Sequence, residues 1–274
     1  MGNAMTKLSS WSDIPMLQDI GASPEAVKSA ARTLRIMEFF DEIRRPARAN
    51  EISGRLNFPQ SSTAALLKSL VKLGYLDFEA ATKAYLPSLR TAVLATWRDT
   101  GYFRDGSILD MLEDLAAASG LAACLTSRAG IFVRYLHVVQ NRKPGDVHIA
   151  LNVRRYAVRS AAGIALLTDI TDTDIRMLVH RTKAEGDPAL ATLSLAEVME
   201  RVNTARSDGH FISKGLVHED NGAIGIPLPR DITGGWQHMA LSLAGRIGQV
   251  EYHSADTARA MKRAVAQLIN RRAR

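Results

Sequence analysis

Residues 49–86 read ANEISGRLNFPQSSTAALLKSLVKLGYLDFEAATKAYL, and their order decides how the rest of the chain is read. Ile52 and Leu56 stand four apart, the spacing of one helix face, with Asn50 near the start of that short helix. Asn57-Phe58-Pro59 breaks it. The next helix opens with Pro59 and the hydroxyl pair Ser61-Ser62; Leu66, Leu67, Leu70, Val71 and Leu73 give it a stripe to bury, and Gly74 supplies its stop. Tyr75-Leu76-Asp77-Phe78 and Ala84-Tyr85-Leu86 then alternate like two short strands around a tip at Ala80 to Lys83. Helix, turn, helix and hairpin in this order predict a winged helix-turn-helix, whose second helix has the geometry to enter the major groove of double-stranded DNA.

A recognition helix needs short polar side chains on its first turn, where base edges are met. Gln60, Ser61, Ser62, Thr63 and Ala64 occupy that turn. Gln can bond adenine bidentately, and Ser or Thr can serve several bases or phosphates. Lys68 lies further along and is placed for phosphate; Arg44, Arg45 and Arg48 precede the first helix of the pair, and Lys83 sits at the wing tip. Between Glu25 and Arg90 eleven Lys or Arg stand against seven Asp or Glu, a modest cationic footprint.

Outward from this core, residues 1–23 are polar and irregular and are expected to form a mobile arm, without the basic start and apolar core of a secretory signal. Ser23-Pro24 is placed to start a helix, and Val27, Ala30, Leu34, Met37 and Phe39 or Phe40 give it one apolar face ending before Arg44. Residues 24–87 are thus a DNA-binding domain. SLRTAVLATWRDT reads as a linker helix over 88–101, and 102–274 as a second domain. In that domain helices are expected at Ser107 to Ser119, Ala161 to Leu167, Thr173 to Arg181, Leu195 to Ser207 and Ser254 to Arg272. Strands are expected at Leu121 to Ser127, Ile131 to Val139, Val147 to Val153, Ala223 to Leu228 and Met239 to Leu243. Strands and helices in such blocks point to the α+β class with an antiparallel sheet.

The totals set limits. The chain has 274 residues, 46% hydrophobic and 23% charged, with a formal net charge of +7, which allows polyanion binding without requiring it. A single cysteine, Cys124, excludes an intramolecular disulfide and a cysteine-built zinc site. No uncharged apolar run approaches the roughly 18 residues of a membrane span, so a cytoplasmic protein without membrane contact is expected. The seven histidines form no metal pattern: His218-Glu219-Asp220 lacks the second histidine of HExxH. No Walker loop, GxGxxG or GxSxG elbow is present, so neither a metal, a cofactor nor an enzyme activity is expected.

Taken together, SAARTLRIMEFF, NEISGRLNFPQSSTAALLKSLVKLGYL, DMLEDLAAASGLAACLT, SAAGIALL, DGHFISKG, GIPLP and ALSLAG resemble, in order and spacing, the IclR family of bacterial transcription regulators over about residues 29–272. The resemblance implies an N-terminal winged helix and a C-terminal domain similar to a GAF or PAS fold. It also implies a homodimer or homotetramer and a small-molecule effector, often a small organic or aromatic acid. Several positions depart from the family pattern. Ala65 stands where a recognition-helix Arg is common, and Val158-Arg159-Ser160-Ala161-Ala162-Gly163-Ile164-Ala165 lacks the usual histidine and lysine. No cysteine lies near Ala223, and Ser242-Leu243-Ala244-Gly245 has lost one hydroxyl.

An effector pocket needs a few converging donors on an apolar wall. Arg155 and Arg159 are candidate carboxylate partners, and Ser160 and Ser242 are candidate hydroxyls. Phe132, Tyr156 and Met239 are candidate walls for an aromatic ligand. The leading expectation is a ligand-responsive, sequence-specific DNA-binding regulator. The alternatives are an enzyme, or a protein-interaction module, that uses the winged helix as a scaffold.

Overall fold

The computed structural model describes residues 27–94, 101–102, 105–140, 147–149, 153–185, 187–233, 238–252 and 254–272. The expected arm at 1–23, the Ser23-Pro24 cap and most of the second half of the linker lie outside the described residues.

The first domain holds α1 (Lys28–Ile43), β1 (Ala47–Arg48), α2 (Ala49–Leu56), α3 (Gln60–Lys72), β2 (Leu76–Glu79) and β3 (Ala84–Pro87). The break between α2 and α3 is set by Asn57, left-handed at φ 52°, a conformation asparagine tolerates better than most residues. Gly74 takes φ 78° just past α3, so the chain reverses into β2. The wing is the antiparallel β2–β3 hairpin, and β1 adds to its other side in the order β1-β3-β2. Ile36, Phe39 and Phe40 from α1, Ile52 from α2, Leu67 and Leu70 from α3, and Leu76 and Tyr85 from the wing fill one core. Four expected core positions belong elsewhere: Val27 is 69% exposed, Leu34 64% and Leu73 59%, and Ala30 is exposed as well. Each helix buries only the part of its apolar stripe that faces the other elements, and these residues fall outside that arc.

A short helix, α4 (Leu89–Val93), follows the wing. The second domain then holds α5 (Ser107–Ser119), β4 (Ala122–Ala129), β5 (Phe132–Val139), β6 (Arg154–Tyr156), α6 (Ala161–Leu167), α7 (Asp172–Glu185) and α8 (Leu195–Asp208). It closes with β7 (Phe211–Lys214), β8 (Asn221–Pro227), β9 (Met239–Arg246), α9 (Ile247–Tyr252) and α10 (Ser254–Arg272). Its six strands form one antiparallel sheet in the order β6-β5-β4-β9-β8-β7. One core lies between the sheet and α5 and α10, the other between the sheet and α6, α7 and α8. The expected strand at 147–153 is not formed at 147–149 or 153; Arg154–Tyr156 pairs with β5 instead. β7 was not anticipated, because Phe211–Lys214 is too short to show a period.

α6 sits unusually close to its surroundings. A Cβ on Gly163 would stand 2.0 Å from the Ala157 carbonyl oxygen, and one on Gly225 in β8 would stand 2.4 Å from that of Ala161. Gly225 therefore lets the start of α6 lie against the sheet, Gly163 lets α6 fold closely onto the preceding turn at Ala157, and the two fix where Ser160 ends up.

Candidate nucleic-acid interface and effector cleft

On α3, Leu67 and Leu70 are buried while Gln60, Ser61 and Lys68 are exposed, so the helix docks by its C-terminal stripe and leaves its first turn facing outward. Ser62 is half-buried and its hydroxyl donates to the Pro59 carbonyl at 3.0 Å. Thr63 is a correction: it is fully buried, with Oγ1 donating to the same carbonyl at 3.0 Å, and so it acts as an internal brace for the helix start. Ala64 is half-buried beside it.

The flanking cations divide into two groups. Arg48 is exposed and its Nε donates to the Thr82 carbonyl at 2.9 Å, which ties β1 to the wing tip. Lys83 is exposed on that tip in a left-handed conformation, φ 54°. Arg44 and Arg45, by contrast, already have carboxylate partners. Arg44 Nη1 lies 2.8 Å from Glu113 Oε1 on α5, across to the second domain. Arg45 forks onto both Glu51 oxygens, which holds the Glu51 carboxyl below its ordinary range. Neighbouring arginines in a sequence give no sign that folding will bring a glutamate from so far along the chain to one of them.

In the second domain a cleft of about 570 Å³, measured out to solvent, opens beside the sheet. Tyr135 of β5, the segment 147–149, Arg155 of β6 and Ser160 to Ala162 at the start of α6 line it. Ser213 of β7, Val217, Asn221 to Ala223 of β8, and Ser242 and Ala244 of β9 complete the lining. Of the anticipated effector residues, the fold brings Arg155, Ser160 and Ser242 together here. Ser160 is 3% exposed, and its hydroxyl accepts from the Gly163 amide at 3.1 Å, so that oxygen already caps α6. Ser242 is likewise 3% exposed.

The other four lie elsewhere. Phe132 and Tyr156 stack on each other with centroids 5.0 Å apart; Arg154 lies over Phe132, and the Tyr156 hydroxyl accepts from the Asp187 amide at 2.8 Å. Arg159 is exposed outside the cleft lining. Met239 belongs to the core under α5 and α10. Met239 and Ser242 stand three positions apart on one strand, an odd step that alternation sends to opposite faces, so the sequence carried this signal.

Tyr135 is the main residue that sequence reasoning missed. Burial raises its hydroxyl well above the ordinary phenol value, and Cys124 adds to this; the Arg155 guanidinium, hydrogen-bonded to the hydroxyl, pulls the other way. Cys124 lies fully buried, its thiol pushed up to about 12 mainly by burial, which leaves it inert as a nucleophile. Gln140 was also missed. Its side-chain amide copies a strand partner, donating to the Ile149 carbonyl at 3.0 Å and accepting from the Ile149 amide at 2.9 Å, and so it fastens the 147–149 segment over the cleft. No Asp or Glu is among the lining residues, and Arg155 is their one guanidinium. Among the described residues no group of three or more His, Cys, Asp or Glu could hold a metal ion. No helix among them is long and apolar enough to cross a membrane.

Residues 29–80 match the IclR helix-turn-helix domain. The Pca regulon regulatory protein of Pseudomonas putida is 21% identical over 235 residues, covering 85% of this chain and 79% of its own length. The first domain therefore carries an IclR-type helix-turn-helix. The fold of the whole chain is shared with solved regulators of that family. An IclR family transcriptional regulator from Brucella abortus superposes with a TM-score of 0.52 at 18% identity, covering 90% of this chain and 93% of its own. A regulator of the same family from Alicyclobacillus acidocaldarius gives 0.54 at 18% identity, with 89% and 98% covered. With this IclR-type helix-turn-helix domain the protein is a DNA-binding transcription regulator.

Proposed function

We propose that this protein is a cytoplasmic IclR-type regulator that acts as a dimer or a dimer of dimers, binds a pseudo-palindromic site, and responds to a small anionic effector held in the cleft of its second domain. The observation that carries the reading is the division of labour on α3, with Leu67 and Leu70 buried and Gln60, Ser61 and Lys68 outward. Phosphate contacts would come from Lys68, Arg48 and Lys83, and base contacts from Gln60, Ser61 and Ser62. Dimerisation is supported by exposed apolar side chains that a monomer gains nothing by presenting to water: Val27 and Leu34 at the start of and on α1, and Leu89, Val93 and Leu94 on or beside α4. Two such heads place half-sites about one helical turn, ~34 Å, or a multiple apart.

The cleft gathers a few polar groups on an apolar wall, and Arg155 without a competing acid in the lining favours a carboxylate. Ligand and DNA would be coupled through contacts between the domains. Arg44 pairs with Glu113, and Asp41 Oδ2 lies 3.8 Å from His137 Nδ1, two residues along β5 from the cleft residue Tyr135. Coupling requires the effector to bind the DNA-competent and incompetent arrangements with different affinity. We read the chain as a regulator rather than an enzyme, in keeping with its IclR-type helix-turn-helix domain.

The test is fluorescence anisotropy of the purified protein on its own upstream DNA against scrambled DNA at several salt concentrations, then with a panel of organic and aromatic acids. A marked preference for the upstream DNA, shifted by an acid, is the expected result. Equal binding to both duplexes, unmoved by salt, would sink the operator reading.

A further inference from the structure

Three of the arginines around the helix-turn-helix are matched by carboxylates: Arg44 by Glu113, Arg45 by Glu51 and Arg55 by Glu42. Arg32, in the first half of α1, forms no ion pair among the described residues. Its guanidinium lies over the ring of Phe58, 5.3 Å from the centroid, and Nη1 reaches the Ser62 hydroxyl at 3.5 Å. Phe58 is the middle residue of the turn, and Ser62 is on the first turn of α3. A cation contributed by a different helix is therefore held at the end of α3 that a winged helix presents to DNA. A guanidinium carries five N–H donors in one plane, and one of them is engaged, at the outer limit of hydrogen-bond distance. Resting over the ring restrains the guanidinium in advance, so less side-chain freedom is lost when an acceptor arrives.

We propose that Arg32 is a DNA-contacting residue that donates to a backbone phosphate beside the bases met by Gln60 and Ser61, and that Phe58 is the positioning residue that holds it there. Arg32 takes the role that sequence position suggested for Arg44. It escapes notice in the sequence because it sits on α1, more than a helix away from the residues it joins, and looks like one more surface arginine.

The experiment uses the full chain on a random-sequence duplex, so no operator need be known, with affinity followed over a series of salt concentrations. Arg32→Gln removes the charge and keeps a planar amide. The expected result is a plot of log affinity against log salt whose slope is less negative by about 0.9, the loss of one phosphate contact. The preference for upstream over scrambled DNA should stay as in the parent. Arg32→Lys should keep the parent slope. Partial loss of folding lowers the active concentration at every salt alike, so the slope still reports the contact. An unchanged slope in Arg32→Gln, whatever the affinity, overturns the assignment. Phe58→Leu tests the positioning role: its cost should be present in the parent and vanish in the Arg32→Gln chain, whereas an equal cost in both backgrounds would remove Phe58 from that role.

Discussion

The DNA head and the second domain build their candidate sites in opposite ways. The head presents Gln60, Ser61 and Lys68 from one helix, and the wing follows directly in the chain, so the surface is complete once a short local motif has folded. The cleft is assembled from β5, β6, α6, β7, β8, β9 and the 147–149 segment. It exists only because β9, late in the chain, enters the sheet between β4 and β8. The Thr126 hydroxyl donating to the Ala240 carbonyl spans 114 positions to hold that joint. The difference teaches where each half is vulnerable. The head's contacts are set by individual exposed side chains, and the cleft by backbone packing far from any ligand.

The largest expected effect tests that vulnerability. Replacing glycine by alanine inside a helix is ordinarily worth about 1 kcal/mol of added stability. In Gly163→Ala the new Cβ meets the Ala157 carbonyl oxygen at 2.0 Å, backbone that cannot swing aside. Overpacking of this kind costs about 1–3 kcal/mol or more and should outweigh the gain. Chemical denaturation should show the second domain's transition moved to lower denaturant with the head's transition in place. If both move together, the halves unfold as one unit and the contrast between them fails.

Arg155→Gln is next. Once an active acid is found in the screen, this substitution should weaken its effect on DNA binding about tenfold to a hundredfold, the ~1.5–3 kcal/mol of a charged hydrogen bond. DNA affinity without effector should be untouched. A change confined to effector-free DNA binding would take Arg155 out of the cleft's chemistry and place it in the coupling.

A smaller pair of effects separates the free cations from the matched ones. Lys68→Ala should flatten the salt slope on random duplex by about 0.9. Arg44→Ala should leave that slope unchanged, because its charge is directed at Glu113, and as an exposed pair it should cost under about 1 kcal/mol of stability. A flattened slope in Arg44→Ala would mean that the pair with Glu113 opens when DNA arrives.

These contrasts also show what was legible in the sequence. The head was, because its signals are local: apolar spacing at Ile52 and Leu56, the Asn57-Phe58-Pro59 break, the Gly74 stop and the alternation of the wing. α5 and α10 were read with their bounds for the same reason. Sidedness was only half legible. Leu34 and Thr63 look equally able to point in or out until α1, α2 and α3 pack, and folding sends them the opposite way from the simplest reading. The cleft was least legible. Arg155, Ser160 and Ser242 were found through resemblance and chemistry, but Tyr135, Gln140 and Ser213 depend on which strands become neighbours, and no local pattern encodes that order.

The smallest effect bears on whether head and body touch at all. His137 Nδ1 lies 3.8 Å from Asp41 Oδ2, with the His137 side chain 14% exposed. Burial lowers its pKa below the ordinary 6.5; Asp41 opposes this, Arg44 reinforces it and Glu113 opposes it. A group whose pKa is lower folded than unfolded contributes stability that is present above pH 6.5 and lost as pH falls through the folded value. Melting temperature should therefore drop on the acid side, and His137→Gln should remove that part of the drop. His238 is also lowered by burial, so the comparison must be made in the His238→Gln chain as well, where the His137 contribution should persist. Asp41→Asn takes away the one head residue that favours the protonated ring, so the acid loss should deepen in that variant. An acid profile indifferent to Asp41 would mean that the head does not rest against β5 in solution. The coupling between ligand and DNA would then have to run through the linker or through a second copy of the chain.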